Sequence, residues 1–125
     1  MNIFPVNGLK GELKVPGDKS ISHRGLIISA LAKGKSNISG FLAGEDCLST
    51  LNCLKQLGVR VITKSATEID VYGVGFNGFK EPLLPLNAGN SGTTARLLIG
   101  LLAGQNFFSI ITGDSSLSQR PMERI

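Results

Sequence analysis

Three short segments of this chain put hydroxyls, amides and cations where a helix would begin. The first is Pro16-Gly17-Asp18-Lys19-Ser20-Ile21-Ser22-His23-Arg24. A helix starting here would add its free backbone N–H groups and the positive end of its dipole to Lys19, the Ser20 hydroxyl and Arg24, which together make an anion site. Ser20 and Arg24 are four residues apart, the spacing that lets two helical side chains face one ligand. The same letters fit a plain N-cap by Asp18 or Ser20 with a solvated Arg24. Cations at a helix start oppose the dipole, however, and need another reason to be there. His23 reads as a satisfied or solvent-facing histidine rather than a general base.

The second segment, Asn87-Ala88-Gly89-Asn90-Ser91-Gly92-Thr93-Thr94-Ala95-Arg96, is a glycine-rich turn feeding a helix. Glycine allows close approach of backbone to a ligand, and Asn, Ser and Thr supply neutral donors for phosphate or carboxylate. A tight, capped turn is the simpler alternative. The spacing matches neither GxGxxG nor a Walker A loop. Gly34-Lys35-Ser36 follows a helical pattern and has Ser29 where the first loop glycine should stand, which argues against a nucleotide triphosphatase. The third segment, residues 113–121, is a polar loop ending in Arg120 before a proline suited to start a helix. A guanidinium held at such a junction can clamp a carboxylate or phosphate with paired hydrogen bonds; alone, it is an exposed loop arginine. The neighbouring Glu45 and Asp46 point in different directions and suit a helix start better than a catalytic acid pair.

Elements must hold these segments in place. Leu9, Gly11, Leu13 and Val15 alternate with Lys10, Glu12 and Lys14, which predicts a half-buried strand closed by Pro16-Gly17. A helix over 20–33 follows, with Ile21, Ile28 and Leu31 on one side and Gly34 past its end. Next come a short strand over 37–41 and a helix opened by Glu45 and Asp46. Cys47, Leu51, Leu54 and Leu57 make its apolar stripe, and Gly58 stops it. Strands follow over 59–63 and 68–72. After an irregular stretch over 73–85 the order restarts with a helix over 93–103, a strand over 107–112 and a helix from Pro121. At an offset of 72, Gly17, Arg24, Leu26 and Ile27 fall on Gly89, Arg96, Leu98 and Ile99. The expected fold is α/β, of the α+β kind, built from repeated β-α-β-α-β-β units. One unit, about 15–73, is complete, and a second, from about 83 to 125, is truncated inside a predicted helix, as in a fragment.

Composition narrows the partners. Thirteen Lys and Arg against nine Asp and Glu give +4, spread from Lys10 to Arg124 without a cluster. That disfavours a nucleic-acid arm and a polybasic membrane patch and favours small anionic ligands. One Tyr and no Trp offer little for base stacking, against an RNA-binding module of the same element order. Cys47 and Cys53, six apart with one histidine in the chain, suit neither a zinc site nor a disulfide framework and read as core thiols in a reducing compartment. The amino terminus lacks a targeting pattern, and the longest uncharged apolar stretch, 97–103, is too short to cross a bilayer. A soluble cytoplasmic protein is expected.

PGDKSISHR at 16–24 closely resembles the first signature of the EPSP synthase (3-phosphoshikimate 1-carboxyvinyltransferase) family. GNSGTTAR at 89–96 resembles its second, and Gln119-Arg120-Pro121 resembles its next substrate-binding arginine; the likeness covers essentially the whole chain. The resemblance implies transfer of the enolpyruvyl group of phosphoenolpyruvate to the 5-hydroxyl of shikimate 3-phosphate, with release of phosphate, in chorismate and aromatic amino-acid biosynthesis. It implies no metal or organic cofactor, and a monomeric intact enzyme. By the same resemblance, Lys19 contacts both substrates and serves the reacting centre, while Ser20 and Arg24 bind shikimate 3-phosphate. Gly92 and Arg120 bind phosphoenolpyruvate, with Asn90 and Thr93 shaping that pocket. Residues 1–14 would belong to a second globular domain and 15–125 to part of the first motif's own domain. Proton-handling carboxylates and further cations would lie beyond Ile125, leaving this chain inactive alone. Leu97 stands where many members have proline. Glycine rather than alanine at 92 goes with sensitivity to glyphosate in this family. UDP-N-acetylglucosamine enolpyruvyltransferase resembles the chain less, having Lys-Asn where Lys19-Ser20 stands.

Overall fold

The computed structural model of the chain describes residues 2–122. In order, the elements are α1 (Lys19–Leu31), β1 (Lys33–Ser39), α2 (Glu45–Gln56), β2 (Arg60–Ser65), β3 (Glu68–Val74), β4 (Leu86–Asn87), α3 (Gly92–Leu102), β5 (Ile111–Thr112) and α4 (Ser115–Ser118). Strands β1, β3 and β2 form one antiparallel sheet with β3 in the middle. A second, two-stranded parallel sheet pairs Leu86 with Ile111 and Asn87 with Thr112.

Helices α1 and α3 start where a side chain satisfies a free N–H group. Asp18 accepts from the Ile21 N–H at 2.7 Å, and Ser91 accepts from the Thr94 N–H at 3.1 Å. Helix α2 has no side-chain cap, but Glu45 and Asp46 occupy its first turn and Lys55 its last, as the dipole favours. Gly58 then turns the chain at φ +90°, a conformation that side chains rarely adopt. One apolar cluster joins Leu26 of α1, Leu51 and Leu54 of α2, Ile69 and Val71 of β3 and Leu98 of α3. Alternation along β3 puts Asp70 and Tyr72 on the opposite face of the sheet, where the Arg60 guanidinium lies over the Tyr72 ring at 4.7 Å.

The mixed α/β class, the core stripe of α2 and both strands of the β2–β3 pair are as expected. Several other elements differ. Residues 9–15 form no strand, and Leu9 and Leu13 are 94% and 87% exposed. A strand needs a partner for its backbone groups, and no described strand lies beside this segment. Helix α1 buries Ser22, His23, Leu26, Ile27, Ser29 and Ala30 and exposes Ile21 and Ile28. The reason is close packing: a side chain at Gly73 of β3 would run into the carbonyl oxygens of Ser29 and Ala32, so small residues face the sheet. The first strand begins at Lys33 and absorbs Gly34, at φ +96°, which was expected as a helix stop. Of the strand expected over 107–112 only Ile111 and Thr112 pair, with a partner, β4, that no alternation announced. The helix expected from Pro121 is not there at Pro121 and Met122, and its continuation lies outside the described residues. A short turn of helix forms earlier instead, because Asp114 accepts from the Leu117 N–H at 2.7 Å.

Helices α1 and α3 share a burial pattern at the offset of 72. Ser22 and Thr94, and Leu26 and Leu98, are buried, while Arg24 and Arg96 are exposed.

Candidate functional site

Lys19 is the first residue of α1, and its ammonium forms an ion pair with the Asp46 carboxylate at the start of α2. The hydrogen bond and charge of Asp46 raise the Lys19 pKa, so this amine stays charged at neutral pH. The charge of Arg120 acts on Lys19 in the opposite sense and more weakly. Ser20 and Arg24 are exposed on the same helix, one turn apart. Beneath them, Gly17 lies so close to the Gly40 carbonyl that a side chain there would overlap it. A cleft of about 260 Å³, lined by Lys19, Leu42, Gly44, Glu45, Asp46 and Cys47, opens at the ion pair.

The second and third segments converge on one another. Arg120 donates through Nη2 to the Asn90 Oδ1 at 2.6 Å, and Asn90 donates through Nδ2 to Asp114 at 2.6 Å. The Asn90 amide and the Leu117 N–H hold the Asp114 carboxyl below its ordinary pKa. Gly92, buried at the start of α3, is the floor between two guanidiniums. A β-carbon there would stand 3.3 Å from Nη1 of Arg120 and 3.3 Å from Nη1 of Arg96. Arg96 also donates to the Pro121 carbonyl at 3.3 Å. Thr93 is exposed. A second cleft, about 380 Å³, has Arg120 in its wall with Ala95, Ile99, Ile111, Gly113 and Leu117.

Both cysteines are buried and free. Burial raises the Cys47 pKa and pushes that of Cys53 up to about 11, so neither is a ready thiolate at neutral pH. His23 is also buried, not solvent-facing. Its Nδ1 meets the Thr50 hydroxyl at 2.8 Å, and its Nε2 has no hydrogen-bond partner among the described residues.

Asn90, Gly92 and Arg120 thus gather where α3 begins. Asp46, paired with Lys19 and in contact with Thr94 through its carbonyl, joins that point to the start of α1, with Ser20 and Arg24 exposed on α1. Three participants escaped the reading of the residues. Asp46 was assigned to the helix dipole alone, although it also holds Lys19. Arg96 stands four residues after Gly92, as Arg24 stands four after Ser20, and the same spacing argument would have found it. No local signal marks Asp114, whose partner Asn90 is 24 residues away.

These fixed cations and amides can bind polyanions, and the order of their segments is that of a known family. The sequence profile described as EPSP synthase (3-phosphoshikimate 1-carboxyvinyltransferase) matches residues 3–125. The chain belongs to the EPSP synthase family. The 3-phosphoshikimate 1-carboxyvinyltransferase of Alkaliphilus metalliredigens is 56% identical over 120 residues, covering 96% of this chain and 28% of the relative. That of Desulforamulus reducens is 54% identical over 123 residues, 98% of this chain and 29% of the relative. Among solved structures, EPSP synthase from Acinetobacter baumannii superposes with a TM-score of 0.87 at 49% identity, over 91% of this chain and 26% of that one. The chain therefore spans under a third of the length of these EPSP synthase relatives.

Proposed function

We propose that this chain forms one wall of a site where the enolpyruvyl group of phosphoenolpyruvate passes to the 5-hydroxyl of shikimate 3-phosphate, with inorganic phosphate leaving. The observation that carries the reading is the placing of Gly92 between the guanidiniums of Arg96 and Arg120. Both substrates are polyanions that repel one another, and cations fixed before binding offset that repulsion. In this reading Ser20 and Arg24 hold shikimate 3-phosphate. Gly92 and Arg120 hold phosphoenolpyruvate, and Asn90 and Thr93 shape its pocket. Lys19 touches both and stabilises charge as the hydroxyl adds to the enol carbon and the adduct then expels phosphate.

The remaining proton-handling groups and cations belong to the rest of a full-length enzyme. Residues 1–14 are assigned to its other globular domain, in keeping with their exposed apolar side chains. Residues 15–125 are assigned to part of a second domain, as one whole unit over about 15–73 and the start of another from about 83. A monomeric cytoplasmic enzyme without a cofactor is the corresponding whole. Among the described residues no helix is long and apolar enough to cross a membrane.

A full-length enzyme carrying these residues should release phosphate from phosphoenolpyruvate only when shikimate 3-phosphate is present, and the 125-residue chain should release none. Phosphate release by the short chain would refute the one-wall reading. Calorimetric titration separates the main alternative, a non-catalytic binding module: binding of a short RNA without binding of shikimate 3-phosphate would establish that instead.

A further inference from the structure

Beneath the candidate site runs a buried polar chain that the reaction itself does not use. His23 Nδ1 is 2.8 Å from the Thr50 Oγ1, which is 2.7 Å from the Thr94 Oγ1. The Thr94 hydroxyl in turn reaches the Ser91 hydroxyl at 2.7 Å and the Asp46 carbonyl at 3.2 Å. His23, Thr50 and Thr94 are each fully buried, and each comes from a different helix. Their positions track the site above. His23 is four residues past Lys19, Thr50 four past Asp46 and Thr94 four past Asn90. The first two pairs are each separated by one helical turn.

Counting protons gives the chain a direction. With the proton on Nδ1, His23 donates to Thr50, Thr50 donates to Thr94, and Thr94 donates to the Asp46 carbonyl or the Ser91 hydroxyl. Every side-chain hydrogen from His23 to Thr94 along the chain then has an acceptor, and its one unsatisfied atom among the described residues is the bare lone pair of Nε2. Reversing the direction puts a buried N–H on Nε2 with nothing to receive it, the rarer and costlier defect. A charged imidazolium has the same defect with a charge added. Burial accordingly lowers the His23 pKa, the Asp46 charge raising it and the Lys19 charge lowering it to lesser extents.

We propose that neutral His23, Thr50 and Thr94 are positioning residues, a hydrogen-bonded chain that sets the start of α3, with Asn90 and Gly92, against the start of α1, with Lys19. Apolar side chains would fill the same space without fixing the sliding or rotation of one helix past another. Directional bonds of 2.7 and 2.8 Å fix both. The proposal rests on the reading of the site given above, because it names which ligand suffers when the chain is cut. Within this chain phosphoenolpyruvate is held from both helix starts, by Lys19 of α1 and by Gly92 and Arg120 at α3, whereas shikimate 3-phosphate is held from α1 alone.

The test uses Thr50→Val and Thr94→Val in a full-length enzyme carrying this sequence, with Thr50→Ser and Thr94→Ser as the conservative variants. The valine variants should lower kcat/KM for phosphoenolpyruvate by roughly 10- to 100-fold, as loss of a supporting partner or a small misplacement does. The KM for shikimate 3-phosphate should stay within about twofold, and the serine variants should restore the wild-type value. Equal losses for both substrates, or no loss, would overturn the proposal. Long-range proton–nitrogen NMR of His23 needs neither turnover nor the valine variants. It should show a neutral ring protonated at Nδ1 at pH 7, and a ring protonated at Nε2 would overturn the assignment. If the unaltered enzyme turns over neither substrate, the functional reading fails, while the NMR result still decides the buried chain.

Discussion

The Arg120 guanidinium donates to the Asn90 side-chain oxygen across 2.6 Å, and Asn90 in turn donates to Asp114. Asn90 therefore sets where the Arg120 charge sits while keeping a carboxylate off it. Replacing it by alanine should raise the KM for phosphoenolpyruvate about tenfold in a full-length enzyme, the worth of one hydrogen bond to a charged group. Asn90→Asp should do more harm, since it brings a second carboxylate against Asp114. Steady-state kinetics with shikimate 3-phosphate saturating would show both, and an unchanged KM in both variants would remove Asn90 from the site.

Lys19→Met tests the residue assigned to both substrates. Turnover should fall by roughly 10²- to 10³-fold, the loss expected when a donor to developing charge is removed. The melting temperature should change little, because the ion pair with Asp46 is half exposed and such pairs contribute little to stability. Full turnover in this variant would sink the assignment.

Gly92→Ala probes the space between two arginines. The new methyl would press on Arg120 and Arg96 at 3.3 Å, closer than ordinary contact, and one guanidinium must give way. Affinity for phosphoenolpyruvate should drop about tenfold, a change of 1.4 kcal/mol. Inhibition by glyphosate should weaken as well. Competition assays on a full-length enzyme measure both, and equal inhibition of the two forms would refute the second expectation.

Acid stability should depend on the far face of the sheet. There the Asn37 amide donates to Asp70 at 2.9 Å, and the Lys35 and Lys64 ammonium groups lie at 2.8 and 3.3 Å. Together, the Asn37 hydrogen bond foremost, they hold its carboxyl at about 2 against an ordinary 3.8. The folded pKa lies below the unfolded one, so this contribution is complete above pH 3.8 and disappears as the pH falls through about 2. Thermal melts at falling pH should show that loss in the unaltered chain, and a smaller one in Asp70→Asn. Parallel curves would show that Asp70 is not the group responsible.

What could be read from the residues alone follows from how local each signal is. Helix α2 was legible because its stripe, its acidic first turn and Gly58 lie within one stretch of chain and agree. Helix α1 was placed correctly, but its buried face was not, because that face depends on Gly73, which is distant in sequence. Residues 9–15 carry the alternation of a strand, yet alternation only says which side chains share a face, and pairing needs another segment. Three cations of the candidate site, Lys19, Arg24 and Arg120, were legible from their motifs, and Arg96 was not. Their restraints were not, since Asp46, Asn90 and Asp114 reach them from other elements.

The central strand of the main sheet is also the last of its three to leave the ribosome. Strands β1 and β2 do not pair with each other; both wait for β3. Until residues 68–74 emerge, the first two strands have only unmatched edges, and the sheet that supports α1 is missing. Truncation before Glu68 should therefore abolish the whole layer rather than shorten it. During synthesis the two helix starts can take up their final spacing only after that late strand has slotted between its neighbours.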